Sequence, residues 1–107
     1  SGIDVIALTD QVRIDAAARE ITERRRRFGK WQEPLVTPFE RLEYVALRFG
    51  AIDAGGIGKV RGWSLEAHAS GAGHTILLNA GTDLASLAKL ADRVEDLTGI
   101  PVDRTPA

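Results

Sequence analysis

One segment near the C-terminus carries helix signals from its start to its end, and it limits what this chain can fold into. Between Thr82 and Thr98 the apolar residues recur every three or four positions and form one stripe, which comprises Leu84, Leu87, Leu90, Ala91, Val94 and Leu97. Thr82 is the predicted N-cap, Gly99 suits a left-handed C-cap, and Pro101 prevents continuation. The pattern predicts an amphipathic helix over residues 82–98 that packs on the core. The alternative is a helix that binds a partner.

Two segments before this helix alternate between apolar and polar residues, as the strands of a half-buried antiparallel hairpin do. Val60–Ala69 and His74–Ala80 flank a loop of small residues, 70–73. If Ala69 pairs with His74, one face of the hairpin is apolar, with the pairs Ala67–Ile76, Leu65–Leu78 and Trp63–Ala80. A third strand is predicted over Leu42–Phe49, and residues 50–58, with four glycines, predict a flexible loop before the hairpin.

The N-terminal third fits more than one structure. Val5–Leu8 and Gln11–Asp15 are typical of strands because of their β-branched residues. The alanines, glutamates and arginines of residues 16–28 favour a helix that stops at Gly29. A hairpin is the alternative, in which residues 12–15 turn through three alanines into residues 19–28. Residues 31–38 predict a connector, because Pro34 and Pro38 interrupt regular structure.

The composition restricts the class of protein. With 107 residues the chain is predicted to form one domain over residues 1–107. It has no cysteine, which excludes a disulfide scaffold and thiolate metal sites, and its net charge of −1 gives no global attraction to nucleic acid or anionic membranes. No apolar run reaches the roughly 18 residues that a membrane helix needs. Because the chain also lacks methionine, Ser1 and Gly2 are expected to be a remnant of tag cleavage or the cut end of a longer protein.

Several of these segments, taken in order, resemble one known family. They are Val12-Arg13-Ile14-Asp15, Arg19-Glu20-Ile21-Thr22, Arg25-Arg26-Arg27-Phe28-Gly29, a strand near Val45, Gly62-Trp63-Ser64-Leu65, a hairpin, and a helix ending Leu97-Thr98-Gly99-Ile100-Pro101. Over about Val12 to Val102 the chain is similar to bacterial pleckstrin-homology-like domains. The resemblance implies the hairpin interpretation of residues 12–28. It also implies a membrane segment before residue 1 and a position at the cytoplasmic face of a bacterial membrane.

The predicted fold class is therefore α+β. We expect a mostly antiparallel sheet of about five or six strands, with one C-terminal amphipathic helix packed on it. The full pleckstrin-homology fold, to which the resemblance points, has seven strands.

One charged run is the main candidate site. Arg24, Arg25, Arg26 and Arg27 are consecutive, and Lys30 follows, with Phe28 and Trp31 as the only neighbouring aromatic residues. A solvated face or internal salt bridges would explain such a run without a function. Anionic lipid headgroups or an acidic protein partner are the functional alternatives, ahead of nucleic acid. Residues 1–34 hold seven basic and six acidic residues, and alternate arginines on a strand point to opposite faces, which weakens any single basic patch.

No catalytic set or cofactor site can be assembled from the sequence. Residues 53–59 look like a phosphate-binding loop but lack its Ser or Thr at the position of Val60. The predicted function is a non-enzymatic accessory or interaction domain, the soluble part of a bacterial membrane-associated protein. The rival hypothesis is a small enzyme or ligand-binding domain that uses His68 and Glu66 near the Gly55–Gly58 loop. No metal or other cofactor is predicted.

Overall fold

The computed structural model describes residues 4–53, 58–71 and 73–104, and these form an α+β fold with one α-helix. The strands are β1 (Val5–Thr9), β2 (Val12–Asp15), β3 (Glu20–Glu23), β4 (Arg26–Arg27), β5 (Lys30–Trp31), β6 (Leu35–Pro38), β7 (Leu42–Asp53), β8 (Lys59–Ala69), β9 (Thr75–Gly81) and β10 (Val102–Asp103). A short 3-10 helix (Phe39–Arg41) precedes β7, and α1 (Leu84–Thr98) follows β9. The prediction for Ser1 and Gly2 falls outside the described residues, and so does the predicted Gly55–Gly58 loop except for Gly58.

The first sheet has the order β1-β2-β3-β6, and each neighbouring pair is antiparallel. β2 and β3 confirm the hairpin that was one interpretation of the N-terminal third: Ile14 pairs with Ile21, and both side chains are fully buried. The helix that local propensity favours is therefore wrong. Burial of two isoleucines on one sheet face outweighs helix propensities that differ by less than about 1 kcal/mol per residue.

The second sheet has the order β10-β7-β8-β9, in which only the β10–β7 pair is parallel. Near the turn the β8–β9 register is as predicted, with the pairs Ala67–Ile76, Glu66–Leu77 and His68–Thr75. Beyond it the prediction is wrong by one residue, because a β-bulge at Leu78 places Leu65 opposite Asn79 and Trp63 opposite Gly81. The bulge lets Leu65 and Leu78 both turn inward, where each is fully buried.

The core lies between the two sheets and α1. Each β-sheet contributes its inner face and α1 contributes its apolar stripe, so that the buried cluster includes Val12, Ile14, Ile21, Val45, Leu47, Leu65, Ala67, Ile76, Leu78, Leu87, Ala91 and Val94. This packing confirms the amphipathic helix and the α+β class. The helix begins two residues later than predicted, at Leu84.

The N-cap of α1 is Asp83 and not Thr82. The Asp83 Oδ1 accepts the Ala85 N–H at 3.1 Å, and the Ser86 hydroxyl donates to Oδ2 at 2.7 Å. The hydrogen bond from the Ser86 hydroxyl is the main reason why the pKa of Asp83 is lowered. At the other end Gly99 has φ 72°, and its N–H donates to the Glu95 carbonyl, which confirms the left-handed cap.

Three further expectations are corrected. The described residues contain ten strands in three sheets, more than the five or six predicted. The predicted connector over residues 31–38 contains β5 and the edge strand β6. The Phe39 N–H donates to the Arg19 carbonyl, and backbone N–H groups along a strand point alternately toward and away from the neighbouring strand. The nitrogen of Pro38 therefore faces away from β3, and its missing N–H costs no hydrogen bond. The predicted loop over residues 50–58 is shorter, since β7 continues to Asp53 and pairs Gly50 with Gly62.

Candidate functional site

The predicted basic run forms a two-stranded hairpin, which we call the basic hairpin (residues 24–31). Arg26 in β4 pairs with Trp31 in β5, and Arg27 pairs with Lys30 across a two-residue turn. Phe28 and Gly29 in that turn have φ 52° and 75°, the pattern of a type I′ turn. Glycine adopts this conformation without strain, whereas Phe28 does so at a cost on the order of 1 kcal/mol.

Main-chain hydrogen bonds fix the base of the basic hairpin to the first sheet. The Arg24 N–H donates to the Gln11 carbonyl at 2.7 Å, which ties the hairpin to the turn between β1 and β2. The Gln32 N–H donates to the Arg25 carbonyl, also at 2.7 Å, and closes the two arms. Every residue from position 24 to position 36 is exposed. The basic hairpin is therefore an anchored projection rather than a strand of the core.

The basic hairpin itself carries only positive charge. Its eight residues contain five basic side chains and no acidic one. None of the five forms an ion pair within the described part of the chain, so internal salt bridges do not explain the run. The guanidinium groups of Arg24 and Arg26 lie over the Trp31 ring, at 4.6 Å and 5.6 Å from its centre. Arg24 and Arg26 thus share the side of the hairpin on which the Trp31 ring lies, and all five cations belong to one exposed projection.

In the sequence Phe28 is notable only as a neighbour of the arginines, whereas in the structure it lies beyond them in the turn. It is fully exposed at the tip of the basic hairpin. Trp31 belongs to the second cross-strand pair from the turn, and its side chain is 42% exposed. The sequence signal for this arrangement is short: a Phe-Gly pair between basic residues, in a place where Asn-Gly would form the same turn without strain.

A groove lies on each side of the basic hairpin. The larger, about 600 Å³, is bounded by Arg24 and Trp31 on one wall and by outer-face residues of the first sheet, such as Arg13 and Thr22, on the other. The smaller, about 350 Å³, is lined by Arg24 and Arg25 together with residues of β9. Arg24 therefore lines both grooves, and the carboxylates of Asp10, Asp15 and Glu33 also line the larger one.

A side-chain hydrogen bond that no sequence pattern indicates holds the strand from which the basic hairpin emerges. His74 Nε2 lies 2.7 Å from the Oε1 of Glu23, the last residue of β3. Glu23 is buried, and the two residues are 51 positions apart in the sequence. The contact joins the β8–β9 loop to the first sheet next to Arg24.

His68 and Glu66, the residues of the rival hypothesis, lie elsewhere. His68 Nε2 is 3.3 Å from Glu66 Oε1, Nδ1 is 3.2 Å from the Thr75 hydroxyl, and the ring stacks on Tyr44 at 4.3 Å. His68 lies nine positions along β8 from Lys59, a distance of about 30 Å. The structure therefore places this pair far from Gly58, the described end of the loop. Among the described residues no three His, Asp or Glu side chains gather as a metal site would require.

The comparisons add no family assignment. The chain matches no family model, no curated protein and no solved structure. The likeness to pleckstrin-homology-like domains therefore stays a prediction from the sequence pattern. No helix in the described ranges is both long and apolar enough to span a membrane.

Proposed function

We propose that this chain is a non-enzymatic interaction domain that binds anionic membrane surfaces through the basic hairpin. One observation carries the proposal: five cations without an ion-pair partner surround a single exposed projection. The net charge of the chain is −1, so the attraction is local to this hairpin and does not come from the whole surface.

The magnitude of the attraction is sufficient for reversible binding. A basic residue near an anionic bilayer contributes about 1 kcal/mol, so five that reach the headgroups together contribute about 5 kcal/mol at low salt. That corresponds to a dissociation constant in the range of about 0.1–1 mM before any apolar contact is added. Because the Debye length is about 10 Å at 0.1 M salt, this binding weakens as the salt concentration rises.

The fold is compatible with the family that the sequence resembles. Apart from β4 and β5 of the basic hairpin, seven strands precede the helix in the described residues, in the antiparallel orders β1-β2-β3-β6 and β7-β8-β9. Seven strands and a helix are also what the full pleckstrin-homology fold has. This supports, as part of the proposal, a domain of a bacterial membrane-associated protein at the cytoplasmic face.

The test is co-sedimentation with anionic and neutral vesicles. The hairpin variant carries Arg24→Gln, Arg25→Gln, Arg26→Gln and Arg27→Gln. The control variant carries Lys59→Gln, Arg61→Gln, Lys89→Gln and Arg93→Gln, four exposed cations outside the basic hairpin. Both variants lose four positive charges, so they differ only in where the charge was removed.

We expect salt-sensitive binding of the wild type to anionic vesicles only, lost in the hairpin variant and retained in the control variant. Equal loss in both variants would show that net charge and not the basic hairpin determines binding. No binding of the wild type at low salt would overturn the membrane proposal. Binding to a soluble acidic polypeptide in its place would assign the arginines to an acidic protein partner.

A further inference from the structure

We infer that the basic hairpin is an insertion element, with Phe28 entering the acyl region of the bilayer and Trp31 lying at the interface. The inference rests on the proposed function and adds the apolar half of the contact. It predicts a bound state in which the hairpin tip points into the membrane and the five cations lie at the level of the phosphates.

The Phe28 side chain packs on nothing in the described part of the chain. It is fully exposed, while the next most exposed large apolar side chain among the described residues, Leu77, is 52% exposed. It also has a left-handed backbone conformation that bulky residues avoid. Within the described ranges, no packing contact offsets the cost of holding this aromatic ring exposed in an unfavourable turn position. A partner that buries the ring supplies the missing contact.

The spacing along the basic hairpin matches the layers of a bilayer surface. Trp31 and Arg26 form one cross-strand pair, and Arg27 and Lys30 form the next pair toward the turn. Phe28 lies two residues beyond Arg26, or about 7 Å further toward the tip. Interfacial elements bury their apolar groups about 5–10 Å into the boundary between headgroups and acyl chains. With the phenyl ring at that depth, the arginines and Lys30 remain among the phosphates.

Trp31 occupies the level at which its chemistry fits best. Tryptophan concentrates at membrane interfaces, because its ring is apolar and its N–H is polar. Here the ring is partly exposed, and two guanidinium groups lie over it. Each cation can contact the ring and a lipid phosphate at once, since a guanidinium has five donors in a planar fork.

The experiment uses Phe28→Asn, which removes the aromatic ring and gives the Asn-Gly pair that a type I′ turn prefers, so the fold is retained. Leu84→Gln is the control variant, because it removes an exposed apolar side chain from α1, away from the basic hairpin and the grooves beside it. Binding to anionic vesicles is measured by sedimentation at low and at high salt. Quenching of Trp31 by lipids with brominated acyl chains reports depth, and Trp31→Phe, which leaves only Trp63, gives the background.

We expect the binding of the wild type and of Leu84→Gln to weaken as salt rises, to keep a remainder from the apolar contact, and to show quenching. Phe28→Asn should bind about tenfold to a hundredfold more weakly, by the burial of one phenyl ring, and should lose the quenching. Equal binding and equal quenching of Phe28→Asn and wild type would overturn insertion and leave electrostatic binding intact. Failure of the wild type to bind any anionic vesicle would remove the proposed function and, with it, this inference.

Discussion

A methyl group added at Gly62 tests how closely the second sheet is packed. Gly62 is buried in β8, opposite Gly50 of β7. A Cβ atom at position 62 would lie 2.6 Å from the Ile52 Cδ1 and 2.8 Å from the Gly81 carbonyl oxygen. The tip of Ile52 can rotate away, but the carbonyl belongs to the backbone of β9. The β8–β9 ladder must therefore shift to accept Gly62→Ala.

The expected cost follows from two opposing effects. Overpacking of this kind costs about 1–3 kcal/mol. Replacing glycine by alanine also restricts the unfolded chain and returns about 0.4–1 kcal/mol. Gly62→Ala should thus lower the free energy of unfolding by about 1–2 kcal/mol. Its cross-strand neighbour is the matched control, because a Cβ at Gly50 meets nothing within 4 Å. Gly50→Ala should be neutral or stabilising by up to about 1 kcal/mol.

Urea denaturation followed by circular dichroism measures both variants. Gly62→Ala should lower the denaturation midpoint without changing the slope, and Gly50→Ala should not. In thermal melts the difference should be about 4–8 °C for each kcal/mol. If Gly62→Ala is as stable as Gly50→Ala, the close approach of β9 to Gly62 is not a constraint and the reasoning fails.

Three other predictions concern polar contacts and the hairpin turn. His74→Ala leaves the buried carboxylate of Glu23 without its partner, so urea denaturation should show a loss of about 1–3 kcal/mol, smaller in a Glu23→Gln background. The pKa of Glu95 is held below its ordinary 4.5, first by the hydrogen bond from the Val102 N–H and then by Arg104. The stability that the ionised Glu95 contributes is therefore present above pH 4.5 and is lost as the pH falls through the lowered pKa. The Val102 amide signal in an NMR acid titration should shift in that range below 4.5 and stay constant above it. Phe28→Asn should raise stability by up to about 1 kcal/mol in a urea titration, and a loss would contradict the strain assigned to this turn.

The sequence predicted the elements in which a local pattern and burial agree. The stripe of α1 and the alternation of β8 and β9 are such patterns, because each places all its apolar residues on one face. The register of β8 and β9 could be predicted only up to the bulge at Leu78. No local sequence pattern marks this bulge. It stabilises the fold by burying Leu78, and that burial exists only once the core has assembled.

Elements that depend on a distant partner could not be predicted. β6 is an edge strand that contains Pro38, and whether proline breaks a strand depends on which side its missing N–H faces. The sequence predicts Gly50 in a loop, whereas in the structure it lies in β7 and pairs with Gly62 of β8. The hydrogen bond between His74 and Glu23 joins residues 51 positions apart, and no pattern along one sequence indicates such a contact.

The sequence predicts the basic residues of the candidate site but not the exposed position of Phe28, and the difference has a physical reason. Five basic residues are visible in the sequence whatever the chain folds into, whereas an exposed ring is defined only by the absence of neighbours in the fold. Natural sequences mostly agree with their local structure, and disagreement concentrates at functional positions. Phe28 departs from these preferences in two ways, because its apolar ring is exposed and its backbone is left-handed. The two strands that flank it have ordinary extended conformations. A substitution that stabilises the turn and weakens binding would show that the fold retains Phe28 for its surface chemistry.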